Sequence, residues 1–539
     1  MNDLSVSFNL WTEPWIRVTD RGGAETVLSI GGCLADAHTL AALSDPSPLV
    51  VGGTHRLLAA ILQAIYAPRD LGELAALLDA GQFDPARLAQ FADRHAERFD
   101  LFHATAPFLQ TGDVPLDGWR KPEKGQKRDW SEPKSAASLL AELPTATKRT
   151  HFQHVTDAGH WLCPACCARA LITIPAFASS EGAGIRPSIN GVPPVYVLPA
   201  ADNLFESLAL SLVSPDYQPA STDPRRADTA AWSGPTSIGK SNQASAVGYI
   251  ESLTFPARRV RLYPQYRTQN CTQCDLPTTV GVSSVLSEMG HWLSEGSGIW
   301  EDPFAAFRQP RGRGKSDEAG PRPIRPEEGK ALWREYGSLL LIEREGELRP
   351  AVVRQTAKLI DRGALGEAQL LRFRCVGIRT DGKAKIFEWL DESLEAPPAL
   401  LTDERAAWFV DSALEWANDV RFILESSFNS HFRPERDRGG HDQKLARFKT
   451  VRARMSADYW GRLAPRFRSF IAELAGADDS DATARAWAND LVRIGRQCFD
   501  TAAEQIGERA DALRARVEAQ AACHRRLSAK RKEWFGDDK

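Results

Sequence analysis

The sequence predicts an α+β protein, with a large mixed α/β N-terminal domain over residues 1–400 and a C-terminal four-helix bundle over residues 401–539. Three observations lead there. Apolar and polar residues alternate on either side of turn signals at Gly22-Gly23 and Asp381-Gly382, as paired strands require. Apolar residues recur at three- and four-residue spacing from near Asp403 to the end, the period of a helix. Between the two patterns lies a proline-rich break, EAPPALL, at residues 395–401. A chain of 539 residues is too long for one ordinary core and is expected to form two to four domains.

In chain order, FNLWTEPWIRVTDRGGAETVLSI reads as a β-hairpin. Helical spacing follows from about Ala35 to Gln90, as in HRLLAAILQAIY, and Asp84 is placed to cap DPARLAQF. Residues 112–150 read as a long loop with a basic character: Arg120, Lys121, Lys124, Lys127, Arg128, Lys134, Lys148 and Arg149 stand among Trp119 and Trp130. Such a loop is either a solvated connection or an arm that meets phosphates. A second Gly/Pro/Arg-rich loop occupies 308–326. LLRFRCVGIRTDGKAKIFEWL reads as a further hairpin whose tip carries Arg379, Lys383 and Lys385. Beyond the break, helices are expected to begin near Asp403, Lys444, Asp481 and Thr501.

A formal net charge of −3 argues against a protein that coats nucleic acid through overall charge, so any such contact must use local basic patches. MNDLSVSFNLWTEPW has no signal-peptide pattern and no later run offers 18 uninterrupted apolar residues, which predicts a cytoplasmic protein without a membrane partner. There, nine cysteines stay reduced. Cys33, Cys375, Cys498 and Cys523 are isolated and read as small buried residues.

The most specific local signal is a pair of C-x-x-C knuckles, Cys163-Pro-Ala-Cys166 and Cys271-Thr-Gln-Cys274. Each puts two thiols on a tight turn, and two knuckles complete a tetrahedral Cys₄ zinc site, structural because it leaves no open coordination position. The 104 intervening residues require both knuckles to return to one place in the fold; four unrelated thiols, with Cys167 as a confounder, are the alternative. His151, His154 and His160 lack HExxH spacing, and no nucleophile elbow, P-loop or dinucleotide fingerprint is present, which disfavours a familiar enzyme class. Ser179-Ser180-Glu181-Gly182-Ala183-Gly184, followed by Arg186 and Asn190-Gly191, is a small-residue loop that either turns into PPVYVL or lets backbone approach a ligand closely.

FNLWTEPWIRV, HRLLAAIL, Pro107-Phe108-Leu109-Gln110, the first knuckle with its glycine loop and PPVYVL, the second knuckle, and Tyr459-Trp460-x-x-Leu463 stand in the order found in the large subunit of the type I-E CRISPR Cascade complex, which the chain resembles. The resemblance implies a non-catalytic subunit that contacts crRNA and other Cascade subunits and recognises the protospacer-adjacent motif in double-stranded DNA. It further implies support for duplex opening and R-loop formation, and recruitment of a separate helicase-nuclease in trans. Carried over by position, Phe152 and His154 fall in the crRNA-contacting loop, and Gly182, Ala183 and Gly184 in the loop that enters the DNA minor groove. Arg379, Asp381, Gly382 and Lys383 fall on the hairpin wedge. Gly382 stands where some members have glutamine, leaving Asp381 or Lys383 to supply the inserted side chain. The lysine that other members place after the second knuckle has no match, and Lys240, Arg258 or Arg259 are the substitutes for phosphate or groove contact. A stand-alone zinc-containing hydrolase or nuclease is the rival reading, and a purely structural scaffold the third.

Overall fold

The computed structural model describes residues 6–114, 131–143, 159–180, 184–219, 230–234, 237–244, 246–294, 299–309, 320–341, 346–366, 371–381, 386–434, 441–507 and 510–536. The fold is α+β and divides into two units, the second of which takes Gly329–Gly337 and Glu395–Lys539.

In the first unit, Ile16–Asp20 pairs antiparallel with Glu25–Leu28, from Ile16↔Leu28 to Thr19↔Glu25. The Asp20 carboxylate closes the turn by accepting from the backbone N–H groups of Gly22 and Ala24, and Gly23 supplies the left-handed residue at φ 84°. Leu40–Leu43 adds a third strand inside the stretch whose spacing reads as helical. Four apolar residues are too few for periodicity to separate strand from helix.

The helix Pro48–Tyr66 forms the centre of this unit. Ser47 caps it, Pro48 presets its first turn, and every residue from Pro48 to Gln63 is buried. Its length and hydropathy match a membrane span, yet it is packed on all sides as a core helix. Gly53 is required: a Cβ there would lie 2.5 Å from the Ile172 carbonyl oxygen, a backbone atom. Asp84 caps the helix Pro85–His95 by accepting from Ala86 N–H at 2.8 Å, as its sequence predicts.

Two polar residues ride in this core helix. His55 Nε2 lies 2.7 Å from Ser211 Oγ, whose own proton goes to the Ser207 carbonyl at 2.8 Å; the ring is therefore the neutral tautomer with its proton on Nε2. Burial, reinforced by Arg374 and Arg56, pushes the His55 pKa down to about 3. An unfolded histidine titrates near ~6.5, so between those values the unfolded chain binds the extra proton. Stability of this unit is thus expected to fall as pH drops from about 6.5 toward 3, by up to ~1.4 kcal/mol per pH unit from this group. Denaturant titrations from neutral to acidic pH check this, and His55→Gln must flatten the slope.

Residues 131–143 correct the expectation of one long loop over 112–150. Lys134–Ser135 pairs antiparallel with Val285 and Ser284, and Ala136–Leu139 forms a buried 3₁₀ turn against Leu162 and Val285. The apolar run AASLLAEL is short enough to be obscured by the surrounding basic residues. The second basic stretch likewise has structured ends, Phe307–Arg308 paired antiparallel with Arg322–Pro323.

Two further sheets position the site. A long hairpin joins Arg258–Asn270 to Pro277–Met289 in antiparallel register from Arg258↔Met289 to Asn270↔Pro277. In the other, Leu371–Thr380 lies between Tyr196–Ala200 and Ile386–Ala396.

The second unit contains the four-helix bundle Glu404–Phe432, His441–Ala475, Ser480–Glu504 and Ala510–Phe535. Thr501 does not open the fourth helix; it lies in the last turn of the third, because the buried stripe runs on through Phe499, Ala502 and Ala503. Trp487 Nε1 donates to the Ala413 carbonyl at 3.1 Å and Tyr459 Oη to the Ala417 carbonyl at 3.0 Å, so both large side chains enter the core with their polar atoms satisfied. Gly329–Gly337 joins this unit because Trp333 packs on Trp460 and Phe467, with ring centroids 5.6 and 4.9 Å apart.

Candidate metal centre and nucleic-acid interface

The long hairpin explains how the two knuckles meet. Its strands end at Asn270 and restart at Pro277, so Cys271-Thr-Gln-Cys274 is the hairpin turn itself. Asp275 takes the left-handed conformation at φ 57° that lets the chain reverse, and its N–H donates to the Cys271 carbonyl at 2.9 Å. The first knuckle arrives along the same hairpin. Leu162 exchanges two backbone hydrogen bonds with Val282, at 3.0 and 2.9 Å, and Thr272 N–H donates to the Trp161 carbonyl at 2.8 Å. Cys163 then caps the helix Pro164–Leu171, which places Cys166 in its first turn.

The four thiols of Cys163, Cys166, Cys271 and Cys274 consequently lie within 4.8 Å of one another, the first three buried and Cys274 half-buried. Cys163 Sγ and Cys274 Sγ are 3.8 Å apart. That is the edge of a tetrahedron with ~2.3 Å metal–sulfur bonds, about 3.8 Å, so the donor set fits a metal ion held by four cysteines. Donors reach two of the four sulfurs. Cys271 Sγ accepts from the N–H groups of Cys163 and Gln273 at 3.3 and 3.4 Å, and Cys166 Sγ accepts from the Arg169 guanidinium at 2.9 Å. Without a cation the thiols compete for charge. Hydrogen bonding to Cys163, then to Cys271, with burial, drives the Cys166 pKa up, while bonds from Cys163 and Cys166 pull Cys271 down. Cys167 is excluded from the set: its Sγ turns toward the Leu162 carbonyl, 3.8 Å away.

The glycine loop is anchored at both ends. Arg258, 3% exposed, donates from Nη1 to the Arg186 carbonyl at 2.8 Å and from Nη2 to the Ser179 carbonyl. Ser188 N–H donates to the Ala178 carbonyl at 2.9 Å, and Arg186 lies 3.8 Å over the Trp292 ring. Gly184 is exposed, with φ 85° and open space where a Cβ would stand, while Gly182 and Ala183 lie outside the described residues.

This geometry corrects the assignment of Arg258 and Arg259 to phosphate or groove contact. Arg258 is consumed by the loop carbonyls, and Arg259, 4% exposed, is paired with Glu288 at 3.1 Å and Asp113 at 3.0 Å. Lys240 is half-exposed and pairs with Glu288 at 3.2 Å. Both arginines sit in a strand where alternation would place only one of them inward; charge patterning cannot reveal that each finds buried acceptors.

On the hairpin expected from the Asp381-Gly382 turn signal, Arg379 is held by Glu388 at 2.9 Å and Glu328 at 3.6 Å, and covers the Phe387 ring at 4.7 Å. Asp381 is exposed; Gly382 and Lys383 lie outside the described residues, as do Phe152 and His154. Sequence reasoning missed Arg169 and the Thr272–Trp161 contact, and it named Arg258 in another role. Arg258 and Thr272 rest on long-range partners that no local pattern announces, whereas Arg169 reaches Cys166 one helical turn back.

The profile of the family described as CRISPR-associated protein Cse1 matches residues 9–498. A protein of Thermus thermophilus named CRISPR-associated protein CasA/Cse1 is 28% identical over 93% of this chain and 94% of its own length. Among solved structures, that of Cse1 from Acidimicrobium ferrooxidans aligns with a TM-score of 0.77 at 24% identity, covering 99% of both chains. A chain of a structure titled CRISPR RNA-guided surveillance complex aligns with a TM-score of 0.71 at 18% identity, over 96% of this chain and 99% of that one.

Proposed function

The chain belongs to the CRISPR-associated protein Cse1 family, and from that premise we propose that it is the non-catalytic large subunit of an RNA-guided type I-E Cascade complex in the cytoplasm. In this reading it recognises the protospacer-adjacent motif in double-stranded DNA, supports duplex opening and R-loop formation, and recruits a separate helicase-nuclease, while guide pairing reads the target. Its partners are crRNA, target DNA and the other Cascade subunits. Phe152 and His154, Gly182 to Gly184, and Arg379, Asp381, Gly382 and Lys383 are its contact residues.

The observation that carries the proposal is the anchoring of the glycine loop. A loop made of small residues has little of its own to fix its shape, and the buried Arg258 fork ties its two flanking carbonyls to the long hairpin. Flanks held at Ser179 and Arg186 can present the small-residue segment between them to a narrow groove without a bulky side chain in the path. The zinc assignment rests on the donor set: four thiolates with backbone and guanidinium donors suit zinc, and a closed site of this kind is structural. A closed site also speaks against the hydrolase reading, which needs an open coordination position.

The experiment reconstitutes the complex with and without this chain and measures binding to targets with altered flanking motifs. Motif discrimination is expected only with the chain present; discrimination that persists without it would sink the proposal. Within the complex, Arg258→Met is expected to reduce discrimination between motif and non-motif targets at least severalfold with little change in non-motif binding, and Arg258→Lys to restore part of it. Equal losses on both kinds of target would mean that Arg258 only stabilises the fold.

A further inference from the structure

Arg169 follows Cys166 by three positions on the helix Pro164–Leu171, so the two side chains share one face and lie a turn apart. The arginine is 9% exposed, and its guanidinium bridges two groups. Nη2 donates to Cys166 Sγ at 2.9 Å, and Nη1 lies 3.7 Å from the Asp45 carboxylate. Asp45 is fixed in turn, because its other oxygen accepts from the Ser47 N–H at 2.9 Å. Ser47 caps the core helix Pro48–Tyr66, and its hydroxyl donates to Glu142. Contacts thus run without a break from the cysteine cluster to the N-terminus of the central helix.

Such a cluster needs a cation beside it. Four thiolates around a divalent ion leave two negative charges in excess, and buried charge is costly unless it is paired and hydrogen-bonded. Cys163, Cys166 and Cys271 are buried. Arg169 brings a permanent positive charge against Cys166, and its planar fork serves the sulfur and a carboxylate at once. A cavity of about 190 Å³ opens alongside, lined among others by Cys166, Cys274, Arg169, Asp45 and Glu142. The sulfurs of Cys166 and Cys274 therefore border the space from which a competing ligand would approach.

We propose that Arg169 is the positioning residue of the metal centre: it holds the Cys166 sulfur in place, offsets part of the charge of the four-cysteine site, and is itself fixed by Asp45. The inference rests on the zinc reading and goes beyond it, since C-x-x-C spacing names ligands and is silent on this arginine. Without the guanidinium, Cys166 has one hydrogen bond fewer and the excess negative charge loses its nearest compensation.

The test compares the full-length chain with Arg169→Met, Arg169→Lys, Asp45→Asn and Leu171→Ala, each loaded with zinc or with cobalt(II) as a spectroscopic stand-in. Leu171, 1% exposed on the same helix, supplies a packing loss without a change of charge. Competition with a chelator is expected to show zinc held about 10–100-fold less tightly by Arg169→Met. Its cobalt form is expected to absorb at lower energy in the sulfur-to-metal charge-transfer band, because the Cys166 sulfur has lost a donor. Arg169→Lys keeps the charge and should recover part of the affinity. Asp45→Asn loosens the guanidinium and should lose affinity by a smaller factor, in the same direction. Leu171→Ala should lower the unfolding temperature and leave the cobalt spectrum unchanged. Parental affinity and spectrum in Arg169→Met would overturn the inference, as would an equal loss of affinity in Leu171→Ala. Where thermal melts show that Arg169→Met does not fold, parental affinity in both Arg169→Lys and Asp45→Asn overturns it instead. Each of these outcomes leaves the zinc reading standing, whereas a parent protein that binds neither metal at the four cysteines would overturn both.

Discussion

Asp302→Ala is expected to destabilise the first unit by about 3–5 kcal/mol, because it strands a buried cation. The Arg56 guanidinium lies at the centre of the unit, 1% exposed, and forms two parallel bonds to the Asp302 carboxylate at 2.8 and 2.7 Å. Asp302 serves more than this pair. It accepts from the Asn190 amide at 3.0 Å and from Phe304 N–H at 3.0 Å, while Asn190 also donates to Tyr196 Oη at 2.9 Å and Tyr196 donates to the Ala176 carbonyl at 2.8 Å. Arg56 further lies 4.5 Å over the Tyr196 ring. Burial is the largest single influence and would lower the Arg56 pKa, but attraction and hydrogen bonding to Asp302, with Tyr196 and Tyr249, together outweigh it and the net displacement is upward. Arginine therefore cannot escape the loss of its partner by giving up a proton. Denaturant unfolding of the single variant and of Arg56→Met with Asp302→Leu separates the contributions. The double variant should recover part of the loss, since the charge is gone, and not all, since Asn190 and Phe304 N–H still lack an acceptor. A single variant within about 1 kcal/mol of the parent would show that the pair is not what holds this core together.

The same network marks where sequence reading ends. HRLLAAIL is legible as a helix from its spacing, yet an arginine at its centre looks like a residue for a solvated face. Only Asp302, 246 residues later, makes it a core residue. The knuckles behaved differently. C-x-x-C spacing is a local constraint, so the four cysteines that cluster could be named in advance although the route that joins them could not. That route depends on the long hairpin and on Leu162 pairing with Val282, a bridge between residues with no pattern in common. The hairpin turn at Gly22-Gly23 was legible for the same local reason, whereas Leu40–Leu43 and Lys134–Ser135 were too short for periodicity and owe their conformation to the strands beside them.

Purified protein is expected to carry one zinc per chain, and loss of that ion should be the most damaging single change to the region around the knuckles. Structural zinc in small peptides contributes on the order of 10 kcal/mol to folding; here strand pairing and a buried cluster of Leu162, Leu171, Val282 and Val285 share the task, so several kcal/mol is the expected loss. Removing the ion leaves four thiols packed within 4.8 Å, of which Cys166 is driven to keep its proton and Cys271 to lose it. Cys163→Ser, Cys166→Ser, Cys271→Ser or Cys274→Ser should each release the metal and lower the unfolding temperature, with Cys274, the most exposed of the four, the mildest. Cys167→Ser separates ligation from packing. Its thiol is buried beside the knuckle and faces the Leu162 carbonyl, so this variant should lose some stability and retain full metal content. Metal analysis of the five variants, with spectrophotometric release by a thiol reagent, reads both quantities. Equal metal loss from Cys167→Ser would place the ion on a different set of ligands, and metal-free wild-type protein of unchanged stability would remove the ion from the fold altogether.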